Sequence, residues 1–158
     1  FTDVFSEEIP VGKFRKVNIT KKEPVLDGDT VQYSSHFMIQ DTLVYDFERE
    51  QNFSYAGLTN EQKALHAMPL LADIWPVHPF REGNTRTVAV FGIQYLRKLG
   101  FHIDNSLFSE HAAYFRNSLV FYHHHGEKQD KHFLKIFFEN LLLGKKNVLL
   151  DEDMYAKE

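Results

Sequence analysis

The sequence has no cysteine, no apolar run of membrane-spanning length and no dense cluster of basic residues. Without cysteine, disulfide bonds and thiol catalysis are excluded, and the composition fits a reducing compartment. The net charge is −4, whereas a nucleic-acid-binding domain normally carries a basic patch. No signal peptide is visible either. We therefore expect a cytoplasmic protein that binds neither nucleic acid nor membranes.

The residues that are present indicate a folded domain rich in helices. The chain has 158 residues, of which 43% are hydrophobic, and 15 are phenylalanine. This is enough to bury a core, so we expect a single domain over residues 1–158. Apolar residues recur at helical spacing in five segments, between an irregular entry (1–13) and a charged tail (145–158). These predicted helices cover residues 35–50, 59–75, 87–99, about 104–122 and 131–143.

Local signals refine three of these helices. In the first, an apolar stripe includes Phe37 and Val44, and the acidic residues are expected to face out. Thr59 and Gln62 form a capping-box pattern at the start of the second, inside which Pro69 predicts a kink or a delayed start. Gly144 is expected to end the last helix.

A small β-hairpin is predicted near the beginning of the chain. Residues 14–20 alternate between apolar and polar side chains, and residues 30–33 are β-prone. The pair Asp27-Gly28 between them is a turn signal. From composition alone this hairpin would be a surface feature without a role.

The chemistry is concentrated in residues 78–86, which read His-Pro-Phe-Arg-Glu-Gly-Asn-Thr-Arg. The stretch precedes the amphipathic helix 87–99, which Gly100 can end. Free N–H groups and the positive end of the dipole meet at a helix N-terminus, and together they attract anions. A histidine and a carboxylate beside such an anion cradle indicate phosphate chemistry.

This stretch resembles the signature of Fic-domain proteins, HxFx(D/E)GN followed by Gly or Lys and then Arg. The positions that match are His78, Phe80, Glu82, Gly83, Asn84 and Arg86. The resemblance extends over about residues 12–143. It implies a mostly α Fic fold of about five to seven helices, with a β-hairpin flap upstream of the motif loop. It also implies a bacterial protein adenylyltransferase, cytoplasmic or delivered into a host cell. Such an enzyme transfers AMP from Mg-ATP to a Tyr, Thr or Ser hydroxyl of a target protein or of itself.

The family signature assigns a role to each matching polar residue, and each has a simpler alternative. The resemblance makes His78 the general base; alone, it would be a hydrogen-bonded structural histidine. It makes Glu82 the Mg²⁺ ligand, although an acidic residue there also stabilises the helix dipole. Gly83, Asn84, Thr85 and Arg86 would bind the nucleotide phosphates. The alternatives are a turn glycine, a helix cap for the asparagine and a surface arginine.

Two positions depart from the family pattern. Thr85 stands where glycine is usual, and Ala89 stands where a second arginine commonly holds the γ-phosphate and pairs with an inhibitory glutamate. Two alternatives therefore stay open: transfer of another phosphate-containing group, and a catalytically weak module that binds nucleotide or a partner. No convincing inhibitory motif is present, so inhibition is either absent or comes from a partner chain, a homodimer or residues beyond this sequence.

Two further segments are candidate sites. The resemblance makes Val17, Asn18, Ile19 and Thr20 the flap edge that docks an extended target segment by strand addition. The three histidines at 123–125 invite a metal site, but adjacent residues on a helix point about 100° apart. We interpret them as exposed histidines at a helix end.

Overall fold

The computed structural model describes residues 12–155, and within them the chain is mostly α-helical. Seven α-helices are present: α1 (Ile39–Gln51), α2 (Asn60–Ile74), α3 (Asn84–Lys98), α4 (Ser106–Glu110), α5 (Ala112–His123), α6 (His132–Leu143) and α7 (Glu152–Tyr155). The prediction of a mostly α fold is confirmed. The irregular entry predicted for residues 1–13 falls almost wholly outside the described range. None of the helices in residues 12–155 has the length and apolar character that crossing a membrane requires.

Helix α2 lies at the centre and delivers the chain to the motif. It packs against α6 on one side and against α1 and α3 on the others. It begins with the predicted capping box, in which the side chains of Thr59 and Gln62 each bond to the other's backbone N–H. Pro69 lies inside the helix and does not delay its start. A 3₁₀ turn, Trp75–Val77, then leads directly into His78.

Helices α5 and α6 bring most of the aromatic residues into the core. Rings of the two helices pack against each other at tilted angles, with the centroids of Phe115 and Phe137 5.0 Å apart and those of Phe121 and Phe133 5.3 Å apart. Gly144 ends α6 at a φ of 64°, as its position after the apolar stripe predicted. The predicted fourth helix is instead divided at His111 into α4 and α5. The tail adds α7, which buries Met154.

The predicted β-hairpin is wrong, since residues 14–33 contain no strand. The two ends of this segment form backbone hydrogen bonds with the residues around His78 instead of with each other. The backbone N–H of Arg15 bonds to Pro79 O at 2.8 Å, and that of Ser34 bonds to Pro76 O at 3.0 Å. Between them, residues 23–29 fold into a compact turn around a 3₁₀ segment, Pro24–Leu26. Because these backbone groups are used elsewhere, no ladder forms.

The inner face of α1 also differs from the expectation that its acidic residues face out. Asp46 and Glu50 are buried, whereas Phe37 and Val44 of the predicted apolar stripe are exposed. Hydrogen bonds from a cluster of polar side chains around Glu50 offset the cost of burying this carboxylate.

Candidate functional site: the loop before α3

The motif loop is bounded by two residues in the left-handed backbone region. His78 has a φ of 47° directly after the 3₁₀ turn, and Gly83 has a φ of 79° at the N-cap of α3. Glycine adopts this conformation easily, whereas histidine does so at a cost. The surroundings of His78 must therefore hold it in place. Its N–H bonds to Trp75 O at 3.1 Å, which closes the turn.

The imidazole of His78 is enclosed by aromatic rings and a backbone carbonyl. Only 3% of the residue is exposed. Its ring lies 4.4 Å from the ring of Tyr33 and 5.4 Å from that of Trp75, to which it is perpendicular. Nδ1 is 3.2 Å from Trp75 O, an acceptor, so in the neutral imidazole Nδ1 carries the proton. The lone pair then lies on Nε2.

Nε2 of His78 is not sealed inside the protein. It makes no hydrogen bond to any residue of the described range. Within that range, no fully buried side-chain nitrogen or oxygen lacks a partner. An unbonded Nε2 is therefore in contact with solvent, and it can accept a proton from a group that approaches the loop.

Burial and neighbouring cations keep His78 uncharged. Burial is the main cause that lowers the pKa of His78 to about 3, and Lys21, Arg15 and Arg116 lower it further, against the bond to Trp75 O, which raises it. The imidazole is therefore a neutral proton acceptor at pH 7. Three cations around a neutral base favour an anionic ligand, whose charge would raise this pKa again.

Arg15 ties the upstream segment to the loop, and sequence reasoning missed it. It is 3% exposed, and its Nε donates to His78 O at 2.8 Å. The two terminal nitrogens donate to Val17 O and Ser34 O. A guanidinium has five donors in a fixed plane, so it can bind several carbonyls at once. In the sequence it is one more basic residue of a polar stretch, and no local pattern distinguishes it.

Asn84 closes the loop with both ends of its carboxamide. Its Oδ1 accepts from Phe80 N at 2.9 Å, and its Nδ2 donates to Phe80 O at 2.8 Å. The side chain is buried and does not cap the helix, whose N-cap is Gly83. The N–H groups of Asn84, Thr85 and Arg86 consequently have no acceptor within the described residues. They form the open end that an anion can occupy.

Glu82 and Arg86 are both exposed, in contrast to the buried His78 and Asn84. Neither forms an ion pair or a hydrogen bond with a described residue. No group of three or more His, Asp or Glu residues in the range 12–155 is arranged to hold a metal. Mg²⁺, however, is often bound by one or two carboxylates together with substrate phosphates and water. A single free carboxylate beside an anion site therefore fits Mg²⁺ carried by a nucleotide.

The hydroxyl of Thr85 is already engaged. Its Oγ1 accepts a hydrogen bond from Trp75 Nε1 at 3.0 Å. The side chain thus points to the tryptophan that also contacts His78, and only the backbone N–H of Thr85 belongs to the open helix end. No local pattern in the sequence predicts this pairing.

The predicted docking edge, Val17–Thr20, is irregular and lies beside the loop. Val17 is 48% exposed, and its carbonyl is bound by Arg15. Asn18 uses its Oδ1 to accept from His36 N at 2.8 Å. The segment is accessible, but it does not present the regular edge of a strand.

The prediction for the three adjacent histidines is wrong for two of them. His123 Nε2 is 2.8 Å from Ala72 O, and its ring stacks on Trp75 with centroids 6.0 Å apart. His124 is 7% exposed and bonds to Asp29, so only His125 is exposed. An open cavity of about 290 Å³ lies beside His123 and is not lined by residues 78–86. Its lining residues are Gln32, Tyr33, Ser34, Ser35, Pro76, His123 and His125.

Comparison with protein families gives one match. A model described as Fic/DOC family matches residues 2–96, which is more than half of the chain and includes the whole motif loop. The match ends inside α3, so helices α4 to α7 lie beyond it. Comparisons with curated proteins and with solved structures gave no match.

Proposed function

The chain belongs to the Fic/DOC family, and on that premise we propose that it is a protein adenylyltransferase. It transfers AMP from Mg-ATP to a Tyr, Thr or Ser hydroxyl of a target protein, with itself as a further target. ATP as the donor places the reaction in a cytoplasm, that of a bacterium or of its host. The observation that carries the proposal is a neutral His78 with a free Nε2, on the loop that leads into the open end of α3.

In the proposed reaction, the target hydroxyl attacks the α-phosphorus of ATP. Nε2 of His78 takes the hydroxyl proton as the new O–P bond forms. The bond between the α-phosphorus and the bridging oxygen breaks, and pyrophosphate leaves with the electron pair. Such a transfer depends mainly on positioning and charge neutralisation, which one base and one anion cradle can supply.

The phosphates would be held by groups that the fold leaves without partners. The N–H groups of Asn84, Thr85 and Arg86 form the open helix end, with Gly83 at its N-cap, and the Arg86 side chain adds a forked pair of donors. The carboxamide of Asn84 acts indirectly, by fixing the loop through Phe80. Glu82 would bind Mg²⁺, which when present neutralises phosphate charge and orients the leaving group.

The target would approach over Val17, Asn18, Ile19 and Thr20. This segment is tied to the motif loop through Arg15, so a chain lying along it passes close to His78. Because no strand is formed, side-chain contacts would contribute more to docking than a continuous ladder of backbone hydrogen bonds.

A second candidate is transfer of a different phosphate-containing group, and Ala89 favours it. Ala89 lies one turn after Arg86 in α3 and provides no guanidinium for a γ-phosphate. Without that contact the triphosphate is less strongly restricted to one orientation. If it binds in the opposite sense, the γ-phosphate faces His78 and is transferred instead.

The two candidates are separated by ATP labelled either at the α-phosphate or at the γ-phosphate. The purified chain is incubated with each label and Mg²⁺, alone and with a bacterial lysate. Protein-bound α label that disappears in His78→Ala and persists in His102→Ala supports AMP transfer; His102 is exposed and remote from the motif in sequence. Protein-bound γ label without α label supports the second candidate. Equal labelling by wild type and His78→Ala contradicts both.

A further inference from the structure

We propose that Thr85 and Trp75 act together as positioning residues for His78, the base of the proposed function. The expected effect on the rate of transfer rests on that function, whereas the expected effect on the position of the imidazole does not. Trp75 is 1% exposed and contacts His78 in two ways. Its carbonyl lies 3.2 Å from Nδ1, and its indole stands perpendicular to the imidazole at 5.4 Å. The position of Trp75 therefore determines both the proton location and the ring plane of His78.

The hydroxyl of Thr85 adds a directional contact at the edge of the indole. The ring of His123 stacks on Trp75, and His123 is itself held by Ala72 O at 2.8 Å. Stacking and core packing hold the faces of the indole. The bond from Nε1 to Thr85 Oγ1, 3.0 Å long, sets the position of its polar edge. It also satisfies a buried N–H that would be costly to leave unpaired.

The same bond joins the two ends of the motif loop. Trp75 belongs to the turn before His78, and Thr85 is the second residue of α3. A glycine at position 85 has no side chain that could accept the indole N–H. Threonine at this position is therefore matched to the tryptophan, and it couples the base to the helix end where the phosphates would bind.

The remaining side of the imidazole is covered by Tyr33, whose ring also lies 5.7 Å from that of Trp75 but which has an anchor of its own. The ring of Tyr33 lies 4.4 Å from that of His78, and its hydroxyl donates to Glu23 at 3.2 Å. Glu23 is fully buried and also accepts from Arg116 at 2.7 Å. Loss of the Thr85 bond should consequently loosen His78 on the tryptophan side and leave the Tyr33 side in place.

The test uses Thr85→Val, which keeps the shape and removes the acceptor, and Thr85→Ser, which keeps the acceptor. Trp75→Phe removes the donor from the other side. The first readout is the ¹⁵N NMR spectrum of the His78 imidazole without nucleotide, which reports its tautomer and its order. Because the carbonyl of residue 75 is present in every variant, we expect the Nδ1-protonated form throughout. Its signals should be sharp in wild type and Thr85→Ser and broadened in Thr85→Val and Trp75→Phe.

The second readout is transfer of the α label from ATP. Thr85→Val should lower kcat by about ten-fold or more with little change in KM, because a misplaced base slows the chemical step. Thr85→Ser should restore most of kcat. The double variant Thr85→Val with Trp75→Phe should be no worse than Trp75→Phe alone, because the bond is already absent in that variant.

Three results would overturn the inference. One is an unchanged imidazole spectrum in a folded Thr85→Val. Another is a loss in Thr85→Ser as large as that in Thr85→Val. The third is an effect confined to the KM for ATP, which would make Thr85 a phosphate ligand. If wild type transfers no label at all, the proposed function fails, but the imidazole spectra still decide whether the pair positions His78.

Discussion

A histidine in the middle of α2 and another just past its end have contrasting surroundings. His66 is on the second turn of the helix, and its Nε2 is 2.7 Å from Glu50 Oε2. The ring of Phe53 stacks on it at 3.4 Å. His78, just past the C-terminal end of α2, has no carboxylate partner among the described residues and has three cations near it. One histidine has an anionic partner, and the other is prepared for an anion that the chain itself does not provide.

The difference shows how the two regions divide stability and chemistry between them. Glu50 also accepts from the hydroxyls of Tyr55 and Tyr95, so one buried carboxylate joins α1, α2, α3 and the loop at 52–59. Its burial raises the pKa, but the hydrogen bonds from the two tyrosines and from His66 outweigh burial and lower it overall. Each polar side chain of this cluster has a hydrogen-bond partner within it. The motif loop instead keeps Nε2 of His78, the first N–H groups of α3 and two charged side chains without partners in the described chain.

The largest expected effect comes from removing the two histidines separately. His78→Ala should reduce protein labelling from α-labelled ATP by at least about 100-fold, because the general base is lost. His66→Ala should keep labelling close to the wild-type level and lower the free energy of unfolding by about 1–2 kcal/mol, since Glu50 loses one partner. Initial labelling rates and urea unfolding measure the two quantities.

The proposed division between the two regions is wrong if His66→Ala abolishes labelling and His78→Ala lowers only the stability. Labelling that is lost in His66→Ala at a temperature where the variant is folded would give the Glu50 cluster a role in the reaction. Circular dichroism of both variants, recorded under the labelling conditions, serves as the control for folding.

The next effect concerns stability, and it targets the carboxylate. Glu50→Ala should lower the free energy of unfolding by about 3 kcal/mol or more, because two tyrosine hydroxyls and an imidazole lose their acceptor. Glu50→Gln should cost less, since a carboxamide oxygen still accepts. The urea midpoints of both variants test this order. A midpoint of Glu50→Ala equal to that of wild type would show that the cluster does not tie the helices together.

Local patterns were sufficient to predict the motif loop and most of the helices. The capping box at Thr59, the helix end at Gly144 and the helix after residues 78–86 all depend on residues close together in sequence. Such signals are read directly from spacing. The family match likewise follows from a short, continuous motif.

The parts that could not be predicted depend on contacts between distant residues. Arg15 binds the carbonyl of His78 across 63 positions, and Glu50 binds Tyr95 across 45. The hairpin prediction failed for the same reason, because backbone groups of residues 15 and 34 bond to the turn before α3 and not to each other. Tertiary contacts of this kind override local β-propensity.

A smaller effect is expected at the exposed arginines of the motif. Arg86→Ala should lower kcat/KM for ATP by about 10- to 100-fold, because a charged hydrogen bond to phosphate is lost. Arg81→Ala is the matched control, an exposed arginine of the same loop with no role in the signature. Arg86→Lys should recover only part of the loss, since an ammonium cannot form the paired contact. Equal values of kcat/KM in Arg86→Ala and Arg81→Ala would remove Arg86 from the phosphate site.

The smallest effect is in the pH dependence of stability, where the two regions should act in different windows. Burial lowers the pKa of His78 from 6.5 to about 3, so the unfolded chain binds this proton first as the pH falls. Stability should therefore decrease with falling pH from about 6.5, by at most about 1.4 kcal/mol per pH unit for this one group. His123, whose pKa burial lowers to about 4, contributes in the same window.

Glu50 acts at lower pH, because its hydrogen bonds lower a pKa that is ordinarily 4.5. The stability that it contributes is complete above that value and is lost as the pH falls through the folded pKa. Urea midpoints measured from pH 7 to pH 3 should lose part of the slope between pH 6.5 and 4.5 in His78→Asn. In Glu50→Gln they should lose slope only below pH 4.5. A His78→Asn profile parallel to that of wild type between pH 6.5 and 4.5 would mean that the pKa of this imidazole is not lowered by folding. The contrast between His66 and His78 would then rest on geometry alone.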